Sequence, residues 1–173
     1  MSGASILLAF VTLQRLAELV VARRNTAALI ARGGVEASPE HYPLIVFLHA
    51  AWLAGLWLLA WNAEVRPAWL AAYLVLQALR AWVLLTLGRR WTTRIIVLPG
   101  EPLVSAGPFR WISHPNYCVV AGEIAVLPLA LGLPVYAFVF SLLNAAVLAV
   151  RIRAERRALD ELGPGIPATS TPD

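Results

Sequence analysis

The chain has 173 residues, 60% hydrophobic and 14% charged, whereas an ordinary soluble domain is about 25% charged; this balance excludes a water-solvated domain and points to lipid. All 14 basic residues are arginines, and against 10 acidic residues they give a net charge of +4. They form no dense stripe with interleaved stacking aromatics, so they suit an anionic membrane face rather than nucleic acid.

A membrane-spanning helix needs about 20 mostly apolar residues. In chain order, 4–22, 43–62 and 67–87 meet that length, and Pro43 and Pro67 fit the first helical turn, where a missing N–H costs nothing. The first run is expected to be retained, because its first arginine, Arg15, already lies inside it and no basic leader precedes it. Two shorter apolar runs follow at 117–131 and 134–150, separated by Gly132 and Leu133. They predict a tight helical hairpin, with Pro128 kinking its first arm. Residues 1–162 read as one membrane domain, and the tail GPGIPATSTPD, 163–173, as flexible.

The loop arginines predict orientation. Segment 23–42 holds Arg23, Arg24 and Arg32; segment 88–116 holds Arg89, Arg90, Arg94 and Arg110; the C-terminal segment holds Arg151, Arg153, Arg156 and Arg157. Only Arg66 falls on the other side. The positive-inside rule makes those three segments cytoplasmic, with the N-terminus outside and the C-terminus inside. The expected fold is therefore an all-α polytopic membrane protein with about five transmembrane helices, a cytoplasmic loop and a C-terminal helix extension.

At 29 residues, segment 88–116 is long for a connector. Its stretch RIIVLPGEPLVSAGPFRWI mixes β-branched and aromatic residues with Pro-Gly, Glu-Pro and Gly-Pro turns, so it should fold back onto the helix ends. At its end stands GPFRWISHPNYC, 107–118. His114 precedes Pro115 and is pushed out of helical conformation; Asn116 is the expected N-cap of the next helix. An imidazole, a phenol and free backbone N–H groups at a helix N-terminus suit a carboxylate or phosphate. A rigid turn with an interfacial Tyr117 anchor explains the same residues. The stretch RIRAERRAL, 151–159, carries the last helix out of the membrane, and the i,i+4 pairs Arg151/Glu155 and Arg153/Arg157 let it present both charge signs to the long loop. A positive-inside flank accounts for the arginines there but not for Glu155.

LVSAGPFRWISHPNY, 103–117, followed by an apolar hairpin and RIRAERRAL, resembles the isoprenylcysteine carboxyl methyltransferase-like membrane methyltransferases. The likeness extends upstream through LQALRAWVLLTLGRRWTTRIIVLPG. The order HYPLIVFLH then LPGEPL is similar to a bacterial branch whose members resemble alkylpyrone O-methyltransferases. The resemblance implies a bacterial plasma-membrane enzyme that takes S-adenosylmethionine from the cytosol and a lipophilic acceptor from the bilayer, methylating a hydroxyl or carboxylate oxygen. It implies that His114 and Tyr117 contact the amino-acid end of the cofactor and Glu155 its ribose or amino group, with Pro115, Val104 and Gly107 in the surrounding wall. Where the family has Arg before His-Pro this chain has Ser113, and Arg156 replaces the second acidic residue of the Glu pair. Either the grip on the cofactor is weaker here or that role passes to Arg110 or Arg153, and Arg153 is also a candidate at the reacting end. Membrane reductases using NADPH share a similar His-Pro-x-Tyr core, and a non-catalytic membrane scaffold would tolerate both departures.

Ionisable residues inside spans are functional candidates by default. For Arg15 and Glu18, three apart, a structural ion pair is expected. Glu123 is expected near the acceptor, as a polar contact or weak base, with an inter-helix ion pair as the alternative; Arg80 lies two-thirds through the third span. His41 reads as interfacial, His49 as a satisfied helix residue, and Asn144 as a packing residue of the hairpin. Cys118, the only cysteine, has no Cys/His partner at metal-ligand spacing, so no metal is expected.

Overall fold

The computed structural model describes residues 2–162. The expected tail, 163–173, lies outside the described residues. Five helices make up nearly all of the regular structure: α1 (Gly3–Ala31), α2 (Tyr42–Ala60), α3 (Pro67–Leu87), α4 (Pro115–Ala130) and α5 (Pro134–Leu162). Among the described residues, a single antiparallel pair joins β1 (Val35–Glu36) to β2 (Ile96–Val97). Four of the helices, all but α4, are long and apolar enough to cross a membrane. At 16 residues, α4 is about 24 Å long, short of a hydrocarbon core of about 30 Å.

Helix α1 runs nine residues past the expected end at 22. Hydropathy falls at Arg23, but Arg, Ala and Leu are all strong helix formers, so the helix persists until Gly33 turns the chain at φ 89°. Helix α5 likewise continues unbroken through the arginine-rich stretch to Leu162, as expected of an extension out of the apolar layer. Leu131, Gly132 and Leu133 close the α4/α5 hairpin, and Pro128 lies inside the last turns of α4, its carbonyl accepting from Leu133 N–H at 2.8 Å.

Polarity runs inside out. Leu58 and Leu85 are each 81% exposed, and Phe47 and Val135 also face outward, while Arg80, Glu123, Asn144 and Arg151 are buried. Exposed apolar area on this scale is tolerated by lipid and not by water, which makes the chain an integral membrane protein. The core between α1, α2, α3 and α4 is built from Leu8, Val11, Trp52, Leu56, Tyr73, Ile124 and Leu127. On α1 the buried Ala4, Leu8 and Val11 recur at helical spacing. Arg15 and Glu18 continue that stripe, so the charges are forced inward.

The helix ends sort into two groups. At one end, Arg66 N–H donates to Ala130 O at 2.8 Å and Ser2 Oγ donates to Trp61 O at 2.7 Å. At the other end the three arginine-bearing segments meet. Asn25 donates to Trp91 O at 2.8 Å, Tyr42 OH lies 3.1 Å from Thr93 Oγ1, and Arg94 pairs with Glu36 at 2.5 Å. Glu101 is held by Arg32 and Arg90. The long loop thus folds back onto the helix ends, as its composition predicted.

Candidate functional site

A cleft of about 360 Å³ opens at the arginine-rich end, between the folded-back loop, the start of α4 and the emerging part of α5. Pro115 starts α4, so His114, with ψ 61°, occupies the cap position. This corrects the expectation for Asn116, which sits inside the first turn. Pro115 has no N–H to give, and Tyr117 and Cys118 N–H both donate to His114 O. The helix terminus therefore offers fewer free N–H groups than expected, and its side chains carry most of the polar chemistry.

Those side chains converge. Tyr117 OH donates to Glu155 Oε2 at 2.7 Å and accepts from Arg151 Nε at 2.8 Å. The His114 ring stacks on Tyr117 with centroids 5.2 Å apart, and its Nδ1 lies 3.7 Å from Glu155 Oε2. This cluster ties the first turn of α4 to α5 across 38 residues of sequence. Val104, Phe109, Ser113, Asn116 and Arg156 also line the cleft. Outside the helices, the hydrogen bond from Arg90, with Arg32 beside it, holds the Glu101 carboxyl below its usual range.

The expected site residues separate into two groups. His114, Tyr117, Glu155 and Val104 line the cleft. Arg110 and Arg153 are exposed and lie outside the lining of the cleft. Gly107 packs against α3 instead: at φ 55°, an added Cβ would lie 2.6 Å from Thr86 Oγ1. Pro115 is buried and shapes the turn rather than the wall. Sequence reasoning missed Arg151 as a site residue, although its i,i+4 relation to Glu155 was the available signal.

Glu123 takes part in a buried ion network. Its Oε2 accepts from Arg80 Nη1 at 2.7 Å and pairs with Arg15 Nη2 at 2.9 Å, and its Oε1 accepts from Gln77 at 2.7 Å. Glu18 pairs with the same two arginines, at 2.9 Å to Arg15 and 2.5 Å to Arg80. Two charges of each sign cancel, and the pairs stitch α1, α3 and α4 together. Both oxygens of Glu123 are engaged and it lines neither cavity, so the structure places it in the inter-helix ion pairing that was the alternative reading.

A second cavity, of about 290 Å³ and mostly apolar, lies deeper among α1, α2, α4 and α5. Trp91, Thr92, Asn116, Tyr117 and Arg151 line both cavities, so the two meet at the Tyr117 cluster.

Residues 69–161 match the model of the isoprenylcysteine carboxyl methyltransferase (ICMT) family. The chain belongs to this family. It is 41% identical over 161 residues to the uncharacterized protein YpbQ of Bacillus subtilis, covering 90% of this chain and 96% of that protein. An uncharacterized protein of Haemophilus influenzae is 27% identical over 165 residues, covering 87% of this chain and 91% of that protein. No solved structure matches. Membership identifies the broad activity of the chain as membrane methyl transfer.

Proposed function

We propose that this ICMT-family protein transfers a methyl group from S-adenosylmethionine to an oxygen of a lipophilic acceptor, with the arginine-rich end in the cytosol. The observation that carries this reading is the Tyr117–Glu155–Arg151 cluster at the junction of an open polar cleft and an apolar inner cavity. The cleft's volume falls within the range of about 300–1,000 Å³ usual for small-molecule sites. Its donor set fits the cofactor. Among the described residues no partner reaches Glu155 Oε1, which leaves it for an ammonium or ribose hydroxyls; His114 and Arg156 offer N–H donors for a carboxylate, and Val104, Phe109 and Leu159 an apolar wall.

S-adenosylmethionine supplies an electrophilic methyl group on a good leaving group. The protein's share is therefore position and electrostatics, and little acid–base machinery is needed. Tyr117 fixes Arg151 through its Nε, so the guanidinium's other N–H groups are held at the junction, where they stabilise negative charge on an acceptor oxygen. The apolar inner cavity holds the acceptor's hydrocarbon part and keeps water out. A hydroxylated ring of the alkylpyrone kind or a prenylated carboxylate meets these demands, both being acidic enough to present an ionised oxygen.

The test is transfer of labelled methyl from S-adenosylmethionine into a bacterial lipid extract by the purified protein, with mass analysis of the product. Organic-phase label that vanishes with Glu155→Gln is expected. No label, together with binding of NADPH where S-adenosylhomocysteine does not bind, would overturn the reading.

A further inference from the structure

Trp111 and Ile112 are large apolar side chains of the long loop, 70% and 47% exposed, and they line neither cavity. Trp111 packs on α3 instead, its ring tilted by 57° against that of Trp82 with centroids 6.0 Å apart. The short helical turn Gly107–Arg110 that leads into it touches α3 as well, with Gly107 against Thr86. The pair therefore lies on the flank of a membrane-spanning helix, outside the cleft.

Helical spacing fixes the depth of this flank. Val75, Leu79, Trp82 and Leu85 fall three or four residues apart and are all exposed, so they form one lipid-facing stripe of α3. Trp82 stands about 7.5 Å inside the end of α3 at Leu87, and Leu85, nearer that end, is among the most exposed side chains of the protein. Lipid that covers Leu85 therefore also reaches Trp82 and the ring packed on it, and Trp111 and Ile112 extend the apolar stripe sideways onto the loop. Charge flanks the same surface. Arg110 precedes the pair, and Arg89 follows the end of α3; both are exposed, and among the described residues neither forms an ion pair or a side-chain hydrogen bond. An indole at headgroup level with long arginines beside it suits a membrane boundary, where the ring lies among the upper acyl chains and the guanidinium groups reach the phosphates. Two cations without a carboxylate partner match a headgroup of net negative charge rather than a zwitterionic one.

We infer that Trp82, Trp111, Ile112, Arg89 and Arg110 form a docking site for an anionic phospholipid of the leaflet at the arginine-rich end. Its acyl chains lie along the α3 stripe and Trp111, and its phosphate is taken by the two arginines. Phe109 and His114, on either side of the docking residues, line the cleft. One short segment thus has the cleft on one side and lipid on the other, and the bound phospholipid backs the wall that carries His114.

The test reads tryptophan fluorescence of the full chain in phosphatidylcholine nanodiscs, with bromine on the acyl chains of either phosphatidylcholine or added phosphatidylglycerol. The emission lost between the unaltered chain and Trp111→Phe isolates the Trp111 signal. With all the lipid brominated at upper chain positions, that signal should be quenched by at least half; an unquenched signal puts the ring outside the lipid and overturns the inference. With the brominated lipid as a minor component, half-maximal quenching should need at least threefold less phosphatidylglycerol than phosphatidylcholine. The double variant Arg89→Ala/Arg110→Ala should bring the two amounts together while Trp111 stays quenched in fully brominated lipid. Equal amounts for the unaltered chain, or a preference that survives the double substitution, also overturns the inference. Trp111→Tyr supplies the difference signal where Trp111→Phe does not fold, and Arg89→Gln/Arg110→Gln replaces the alanine pair in the same way. The measurement needs no cofactor, so a chain that prefers phosphatidylglycerol yet binds no S-adenosylhomocysteine sinks the methyltransferase reading and not this one.

Discussion

Two clusters in this protein use the same residue types to opposite ends. In the buried network of Arg15, Glu18, Arg80 and Glu123, charges of each sign are equal in number and both oxygens of each carboxylate are engaged. At the mouth of the cleft, Glu155 shares one oxygen with Tyr117, and among the described residues Arg151 is held through its Nε alone. Unpaired hydrogen-bonding capacity, rather than the presence of charge, separates a site from a brace. A network whose carboxylate oxygens are all engaged holds helices together and leaves no carboxylate oxygen without a partner for a ligand.

The largest expected effect comes from breaking the brace. Arg80→Met removes the partner shared by Glu18 and Glu123 and should cost about 3–5 kcal/mol of stability, read as a lowered melting temperature in detergent. The double variant Arg80→Met/Glu123→Leu, which removes one charge of each sign, should recover part of that loss. Next is the cleft. Glu155→Gln, Tyr117→Phe or His114→Ala should each weaken S-adenosylhomocysteine binding at least tenfold, about 1.4 kcal/mol, with a smaller loss of stability than Arg80→Met; calorimetry and melting together separate the two effects.

A smaller effect is expected at the Arg32–Glu101–Arg90 clamp over the loop. The Glu101 carboxyl is held below its usual range in the folded protein, so its contribution is present above the unfolded-state value and is lost as pH falls through the folded one. Amide exchange at Ile96 and Val97, corrected for its intrinsic pH dependence, should lose protection only on acidification below the ordinary carboxylate range, and Glu101→Gln should show that loss already at neutral pH. The smallest effects belong to the exposed arginines. Arg110→Ala and Arg153→Ala should each change cofactor affinity less than twofold and stability by no more than about 0.5 kcal/mol.

Much of this contrast was legible in the sequence, for reasons that can be traced residue by residue. His114, Tyr117 and Glu155 converge because a His-Pro bend starts one helix while the next helix returns to the same level. Both features are local. Arg153 falls outside the cleft on helical phase: Arg151 and Glu155 lie one turn apart and face it, and a residue two positions from Arg151 points nearly the opposite way. Asn116 was displaced from the cap because proline prefers the first helical position, and that preference outweighs a good capping side chain one residue later. Glu123 could not be assigned from sequence, because its partners come from α1 and α3 and depend on inter-helix registration that periodicity leaves undetermined.

The most direct measurement is S-adenosylhomocysteine binding to the purified protein by calorimetry, for the unaltered chain, Glu155→Gln and Arg153→Ala side by side. Micromolar-range binding that falls at least tenfold in Glu155→Gln and holds within twofold in Arg153→Ala is the expected result. Absence of binding to the unaltered protein, or equal affinity in all three, would contradict the assignment of the cleft.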